Sequence, residues 1–123
     1  MIKLTFCLKR LPNLTLEQFQ SYWLEKHGPL VRSHQETLRI KRYVQLHSSF
    51  HPMNDAFREG RGGPEGYDGV AELWWDSLED IQAATESEAG QKAGLELLED
   101  EQKFIDLANS PLWIGEEHTI FGG

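Results

Sequence analysis

The sequence predicts an α+β fold in which the elements follow the order strand, helix, strand, strand, helix, strand. Four segments show the apolar patterns of strands, and two stretches between them begin with helix-capping residues and continue at helical spacing. The chain has 123 residues, a length that suits one hydrophobic core. We therefore expect a single domain over residues 1–123.

The first strand and the first helix have the clearest patterns. The segment IKLTFCLKR alternates apolar and polar residues, which is typical of a strand with one buried face. In TLEQ, Thr15 and Gln18 have the spacing of a capping box, so the helix begins at Thr15. Gly28 and Pro29 predict a kink, after which PLVRSHQE resumes as a short helix. The first helix carries a buried stripe of Leu16, Phe19, Trp23 and His27.

The second and third strands have different patterns. LRIKRYVQLHS alternates, with one face formed by Ile40, Val44 and Leu46 and the other by Lys41, Tyr43, Gln45 and His47. YDGVAELWW is apolar on both faces, as in a strand that is covered on both sides. Residues 51–65 between them are rich in Gly, Arg, Pro and Asp. We expect a long exposed connection there with at most one turn of helix, and it is a candidate lid.

The last third of the chain predicts a long helical region followed by a strand. SLED repeats the capping spacing at Ser77, and the helical pattern is interrupted around ESEAGQKAG and ends between Asn109 and Pro111. The acid-rich part, LELLEDEQKFID, is expected to be a solvated helix face. LWIGEEHTIF is the last strand. This order is that of a ferredoxin-like βαββαβ subunit with a four-stranded antiparallel sheet and both helices on one face.

A sheet covered by helices on one face leaves its other face to be covered. We expect Tyr43, Cys7, one of the tryptophans of the third strand and parts of the fourth strand to lie there. A second copy of the same sheet is the simplest cover, because a two-fold dimer buries the same patch on both subunits. We therefore predict a homodimer packed sheet to sheet, with a cavity for a small apolar or aromatic molecule in each subunit.

The composition excludes several classes of partner. Twenty acidic and twelve basic residues give a net charge of -8, and no basic stripe is present, so we expect no nucleic-acid partner. No segment has the pattern of a membrane span or an export signal, and the single cysteine, Cys7, forms no internal disulfide, so we expect a cytoplasmic protein without membrane contact. Zinc-type spacings and a phosphate loop are lacking, so we expect no metal and no cofactor.

His27 is the first candidate for chemistry. It lies on the buried stripe at a helix end, where an imidazole is able to act as an acid or base near neutral pH. The alternative is that its ring satisfies free carbonyls at the helix end. Two strand faces supply further candidates, Tyr43, Gln45 and His47 on one and Asp68, Glu72 and Trp74 on the other. These side chains alternatively pair with each other and with a partner subunit.

If these groups converge, they form the site of a small cofactor-independent enzyme, an isomerase, cyclase or dehydratase acting on a cyclic or aromatic oxygenated compound. His27 is then the acid or base, Tyr43 donates to a substrate oxygen, and Asp68 or Glu72 orients the imidazole. The remaining contacts to the ligand come from Trp23, Gln45, His47 and Trp74. The alternative function is a non-catalytic protein that binds a small molecule in the same cavity.

Four quoted segments, LTLEQFQSYWLEKHGPLV, IKRYVQLH, YDGVAELWW and EDEQKFIDLANSPLWIGEEHTIF, resemble the EthD-like family of dimeric α+β barrel proteins. The resemblance implies ferredoxin-like subunits that dimerise sheet to sheet, with a cavity between sheet and helices. Relatives include methylmuconolactone isomerases and fungal polyketide dehydratases or decarboxylases. In the isomerase-type relatives a histidine at the end of the first helix and a tyrosine on the second strand contact the substrate, which implies this role for His27 and Tyr43. No other pocket residue is carried over, and residues 51–65 lie outside the resemblance.

Overall fold

The computed structural model describes residues 1–123 as a four-stranded antiparallel sheet with the core-forming helices on one face. The strands are β1 (Ile2–Leu8), β2 (Arg42–His47), β3 (Gly69–Trp75) and β4 (Leu112–Glu116). Their order across the sheet is β2, β3, β1, β4, with every neighbouring pair antiparallel. The predicted α+β, ferredoxin-like fold is confirmed.

The first helical region is continuous at Gly28 and Pro29, where a kink was predicted. Helix α1 (Leu16–Tyr22) begins at Thr15, and both hydrogen bonds of the predicted capping box with Gln18 are present. A π-helical turn (Trp23–His27) follows and leads directly into α2 (Gly28–Ser33). Pro29 has no N–H for the carbonyl four residues earlier and crowds that carbonyl, which favours a widened turn at this point.

The connection between β2 and β3 contains a helix that the sequence analysis did not predict. Helix α3 (Pro52–Arg61) spans ten residues, so the expectation of at most one turn was wrong. The ring of His51 accepts a hydrogen bond from the backbone N–H of Met53, and Pro52 occupies the first turn, where its missing N–H costs nothing. Gly62, with φ 61°, ends the helix in the left-handed conformation that favours glycine.

The second helical region is divided by a single residue, within the segment where the interruption was predicted. Helices α4 (Leu78–Glu86) and α5 (Glu88–Glu101) meet at Ser87, whose hydroxyl accepts a hydrogen bond from Gly90 N at 2.9 Å. The α-helical part ends earlier than expected, and a 3-10 turn (Leu107–Asn109) precedes β4. No helix combines the length and the apolar character that crossing a bilayer requires.

The strand register decides which side chains face the helices. Tyr43 lies opposite Leu73, which in turn lies opposite Leu4, and all three pack against the core beneath the helices. Gln45 and His47 follow at two-residue spacing and lie on the same side. The expectation that Tyr43 lies on the open face was therefore wrong. The open face of β2 carries Val44 and Leu46 instead, and Leu46 is 57% exposed.

The centre of the core is aromatic. Phe19, Trp23 and Phe104 are almost completely buried between α1, the segment after α5 and the sheet. Phe19 lies 5.6 Å, between ring centroids, from both of the other rings. The indole of Trp23 lies against Gly69 of β3, where a Cβ atom would overlap the ring. Glycine at this position therefore allows the first helical region to pack directly on the sheet.

Candidate functional site

His27 forms a buried pair with a carboxylate of α5. Its Nδ1 lies 2.8 Å from Oδ2 of Asp100, and His27 is 5% exposed. The imidazole also packs on Phe104, with 5.1 Å between the ring centroids. The π-helical turn places His27 on this buried side, and such turns are frequent at functional sites.

The carboxylate of Asp100 accepts a second hydrogen bond. The hydroxyl of Tyr22 donates to Oδ1 of Asp100 at 2.5 Å, and Nζ of Lys103 lies 3.7 Å from that oxygen. An ionised carboxylate only accepts hydrogen bonds, so Nδ1 of His27 carries the proton and Nε2 of the neutral ring is a free base. No buried side-chain nitrogen or oxygen lacks a hydrogen-bond partner, and Nε2 makes no hydrogen bond, so Nε2 is accessible to solvent.

The environment keeps the imidazole neutral and the carboxylate charged. Burial lowers the pKa of His27 below its ordinary value of 6.5, and the hydrogen bond and charge of Asp100 oppose this only in part. Burial of Asp100 favours its neutral form, but the hydrogen bonds from Tyr22 and His27 outweigh it and hold the pKa of Asp100 below its ordinary value of 3.8. Burial and Asp100 together raise the pKa of Tyr22 to about 12, so Tyr22 remains a donor.

A second polar network lies where the first helical region meets β2. Nε2 of Gln45 donates to the carbonyl of Trp23 at 3.0 Å and to the hydroxyl of Tyr43 at 2.8 Å. Oε1 of Gln45 lies 2.7 Å from Nε2 of His47, so that nitrogen carries a proton and Nδ1 of His47 is unprotonated in the neutral ring. The His47 ring stacks on Trp23 with 4.6 Å between centroids, and burial lowers the pKa of His47.

A cavity of about 810 Å³ lies beside this network, between α2 and β2. Its wall includes Gly28, Tyr43, Gln45 and His47. The His27 ring is not part of the wall, although Gly28 follows it directly in the chain. Three of the residues predicted for the site, Tyr43, Gln45 and His47, therefore share one cavity.

Glu101 interacts electrostatically with one residue of each network. It follows Asp100 on α5, and its side chain makes no hydrogen bond or ion pair. Burial and the neighbouring Asp100 raise the pKa of Glu101 to about 7, so its carboxyl is divided between the neutral and charged forms at neutral pH. Its charge also helps, after burial, to raise the pKa of Tyr43. Helix α5 thus supplies one carboxyl to His27 and the next to the environment of Tyr43.

The two carboxylates predicted to orient His27 lie elsewhere. Asp68 accepts hydrogen bonds from the backbone N–H of Arg10 at 2.8 Å and from its guanidinium at 2.5 Å, which ties the start of β3 to the end of β1. Glu72 lies on the open face of the sheet, paired with Lys3. The carboxylate that contacts His27 is Asp100, and the assignment of that role to Asp68 or Glu72 is corrected.

Trp74 also lies on the open face, away from the cavity. Two cations contact its indole, with Nζ of Lys3 at 4.9 Å and the guanidinium of Arg42 at 4.8 Å from the ring centroid. Its Nε1 donates to Glu117. Trp74 therefore does not form the cavity wall that was predicted for it. Trp23 lies on the helix side, as its helical spacing predicted, but it is 1% exposed and does not line the cavity, so the predicted ligand contact is corrected for Trp23 as well.

The acid-rich segment concealed the carboxylate that orients His27. It was predicted to be a solvated helix face, yet Asp100 is 8% exposed, whereas Leu95 and Leu98 are 56% and 42% exposed. The inward face of α5 instead continues a stripe at spacings of four, three and four residues: Ala93, Leu97, Asp100 and Phe104. An acidic residue, Asp100, at one position of an otherwise apolar helical stripe is the signal that sequence reasoning missed.

No group of three or more His, Cys, Asp and Glu side chains is arranged to hold a metal ion. His34 and Glu96 form a pair with 3.1 Å between Nε2 and Oε2, but no third ligand joins them. Cys7 is half-buried, and burial raises the pKa of its thiol, which disfavours the thiolate that acts as a nucleophile.

Comparison with solved structures finds the same fold in several proteins. The chain is similar to an ethyl tert-butyl ether degradation (EthD) family protein from Bacillus halodurans, with 22% identity, TM-score 0.62, and coverage of 96% of this chain and 100% of that chain. It is similar to an EthD-like protein from Ralstonia eutropha, with 20% identity, TM-score 0.59, and coverage of 94% and 89%.

A third similar structure is a dimeric protein of unknown function and ferredoxin-like fold from Bacteroides fragilis, with 10% identity, TM-score 0.57, and coverage of 94% and 95%. The comparison with curated proteins finds no match. The model of the EthD domain matches residues 11–108, most of the chain. This protein therefore belongs to the EthD family.

Proposed function

We propose that this protein is a small cofactor-independent enzyme that moves a proton on a cyclic or aromatic oxygenated compound, as an isomerase, cyclase or dehydratase does. The observation that carries the proposal is the buried His27–Asp100 pair, which leaves Nε2 of His27 unprotonated and free. A carboxylate that fixes the tautomer of a histidine is a recurrent arrangement in acid–base catalysis.

In this proposal the substrate occupies the cavity beside β2. Tyr43 donates to a substrate oxygen, and Gln45 and His47 of the cavity wall fix its position. His27 takes a proton at Nε2 and returns it at a different atom, while Asp100 stabilises the imidazolium that forms between the two steps. The support is that Gly28, which lines the cavity, follows His27 directly in the chain.

Solvent deuterium exchange tests this function without knowledge of the substrate. The purified protein is incubated in D2O with a panel of lactones, cyclic ketones and phenols, and NMR measures deuterium entering their carbon positions. Exchange with at least one compound is expected from the wild type. His27→Ala is expected to reduce the exchange by at least about a hundredfold, the low end of general acid–base contributions.

Two other histidines supply the controls. His34→Ala removes an imidazole whose carboxylate partner, Glu96, is exposed, and it is expected to leave exchange unchanged. His47→Ala removes an imidazole of the cavity wall. Loss of exchange in His47→Ala alone would transfer the acid–base role from His27 to His47. If wild-type protein exchanges none of the compounds, the enzyme proposal is rejected.

A second candidate function is a non-catalytic protein that binds a small molecule. One observation favours it, namely that the His27 ring does not form part of the cavity wall. This function predicts that a ligand raises the melting temperature without turnover, and that His27→Ala binds the ligand as well as the wild type. Thermal unfolding with and without ligand measures both quantities.

We also propose that two subunits pack through the open faces of their sheets. The support is apolar surface on that face, where Leu46 is 57% and Trp113 is 54% exposed. The similar Bacteroides fragilis structure is of a dimeric protein, which agrees with this arrangement. A second copy would cover the same patch on both subunits.

Light scattering after size-exclusion chromatography tests the dimer. The wild type is expected to elute with twice the subunit mass, and Leu46→Glu with the subunit mass, because the substitution places a charge in the interface. Leu98→Glu makes the same change on the exposed side of α5 and is expected to leave the mass unchanged. A wild type with the subunit mass would contradict the proposal.

A further inference from the structure

The π-helical turn that carries His27 contains a carbonyl that accepts two hydrogen bonds. The carbonyl oxygen of Trp23 accepts from the backbone N–H of Gly28, five residues later, which is the bond of a widened turn. The same oxygen accepts from Nε2 of Gln45 on β2 at 3.0 Å. A carbonyl oxygen has two lone pairs, so it accepts both bonds at once. The side chain of Gln45 therefore supports the turn from the sheet.

The amide of Gln45 is itself held in one orientation. Its Nε2 also donates to the hydroxyl of Tyr43 at 2.8 Å, and its Oε1 lies 2.7 Å from Nε2 of His47. Both neighbours lie on the same face of β2, two residues away on either side. An amide whose nitrogen and oxygen are both bonded has a fixed direction, so its N–H points at the carbonyl of Trp23.

Gly28 gives the amide room to approach the turn. A Cβ atom at this position would lie 3.3 Å from Nε2 of Gln45 and 3.5 Å from the carbonyl oxygen of Trp23. The backbone of Gly28 is helical, with φ -54°, so its conformation suits any residue. The space beside Gln45 is what favours glycine here, and a methyl group would move the amide by a few tenths of an ångström.

The widened turn determines the direction of His27. His27 is the last residue of the turn, and its Nδ1 lies 2.8 Å from Oδ2 of Asp100. A π-helical turn holds one residue more than an α-helical turn, so a return to α-helical geometry would rotate the following residues by about 100°. The pairing of His27 with Asp100 therefore depends on the contacts that keep the turn wide.

We propose that Gln45 is a positioning residue, which holds the π-helical turn through the carbonyl of Trp23 and thereby keeps His27 in contact with Asp100. This inference rests on the proposed function, because it concerns the orientation of the same imidazole. It also connects the cavity to His27, since Gln45 lines the cavity and the His27 ring does not.

An NMR titration of His27 tests the inference, with His27→Ala identifying its resonance. Gln45→Met keeps the length of the side chain and removes its donors, so the imidazole should lose burial and Asp100, and its pKa should rise toward 6.5. Asp100, which contacts His27, and Tyr22 and Lys103, which contact Asp100, are unchanged in this variant. Deuterium exchange should fall at least about tenfold, because a misplacement of about 1 Å costs up to about a hundredfold.

Gln20→Met provides the matched control. Nε2 of Gln20, on α1, donates to the carbonyl of Ser48 at 2.6 Å, so this amide also joins the first helical region to the chain beside β2, but outside the π-helical turn. Its loss is expected to leave the His27 titration and the exchange unchanged. Gly28→Ala displaces the Gln45 amide without removing it, and it is expected to raise the pKa of His27 by less than Gln45→Met does.

The outcomes separate the positioning role from the proposed function. An unchanged His27 titration in Gln45→Met, or in Gly28→Ala if Gln45→Met does not fold, overturns the inference and leaves the enzyme proposal in place. An equal change in Gln20→Met overturns it as well, because the effect would then follow from any lost contact between helix and sheet. A shifted titration in a protein whose wild type exchanges no compound upholds the inference and rejects the enzyme.

Discussion

Two histidine–carboxylate pairs join the first helical region to α5, and they differ mainly in burial. His27 with Asp100 and His34 with Glu96 have similar separations, 2.8 and 3.1 Å. The side chains of the first pair are 7% and 11% exposed, whereas those of the second are 19% and 55% exposed. The same two functional groups therefore occupy an interior site and a surface site of one helix.

The difference shows that burial, and not the pairing itself, makes a histidine suited to acid–base chemistry. Water competes for the surface pair and screens it, so its contribution to stability is small. In the interior pair the carboxylate fixes the tautomer and the surrounding apolar groups lower the pKa of His27. The unprotonated and accessible Nε2 of His27 is a consequence of this buried environment.

The largest expected effect comes from removing the buried carboxylate. Asp100→Ala deprives the Nδ1–H of His27 and the hydroxyl of Tyr22 of their acceptor, so we expect a loss of about 2–4 kcal/mol in the free energy of unfolding. Glu96→Ala is expected to change it by less than about 0.5 kcal/mol. Urea unfolding at a fixed protein concentration measures both, and equal losses would contradict the distinction between the pairs.

A smaller effect is expected from the carboxyl beside the buried pair. The pKa of Glu101 in the folded protein, about 7, exceeds its ordinary value of 4.5, so its contribution to stability is complete below pH 4.5 and is lost as the pH rises through 7. Glu101→Gln should remove this loss and stabilise the protein at pH above 7 by something on the order of 2 kcal/mol. Unfolding free energies measured across this range should coincide at acidic pH.

The exposed Glu99 of the same helix provides the control for that series. Glu99→Gln is expected to change the unfolding free energy little at any pH, because a solvated carboxylate interacts weakly with the fold. If Glu101→Gln and Glu99→Gln give parallel curves, Glu101 is not in the buried environment that the structure describes.

The smallest effect is a shift in one titration. Asp100→Asn keeps an oxygen that accepts from Nδ1 of His27 but removes the negative charge, so the pKa of His27 should fall further below 6.5. NMR of the imidazole carbon-bound protons measures it, and Glu96→Gln should leave the His27 curve unchanged. A rise in the pKa of His27 on removing the charge would contradict the pairing.

The lowered pKa of His27 also makes the free energy of unfolding depend on pH. Because the pKa of His27 is lowered, the unfolded chain binds the proton first as the pH falls below 6.5. The stability that His27 contributes is complete above that pH and is lost on acidification.

Local sequence patterns were sufficient for most of the elements. The alternation of β1, the capping box at Thr15 and the interruption between α4 and α5 each depend on neighbouring residues, and each is present in the structure. Helix α3 was missed, because its mostly polar and glycine-containing segment was interpreted by composition. The signals at its ends, a proline in the first turn and a glycine after the last, were present in the sequence.

The candidate site was predictable only in part. Helical spacing placed His27 on the buried side, and strand alternation grouped Tyr43 with Gln45 and His47. Alternation could not decide which of the two faces of β2 meets the helices, since a strand with half-buried residues on both sides fits either way. The register with β3 settled that question.

Local patterns in the sequence were sufficient to predict the order of the four strands and the two main helical regions, the helix start at Thr15 and the inward direction of His27, because each follows from contacts within a few residues of the chain. The tertiary structure alone decided that Asp100 orients His27 and that Asp68 and Glu72 pair with Arg10 and Lys3. These partners are separated by 58 to 73 residues. Such pairings depend on how helices and strands pack together, and no local pattern encodes them.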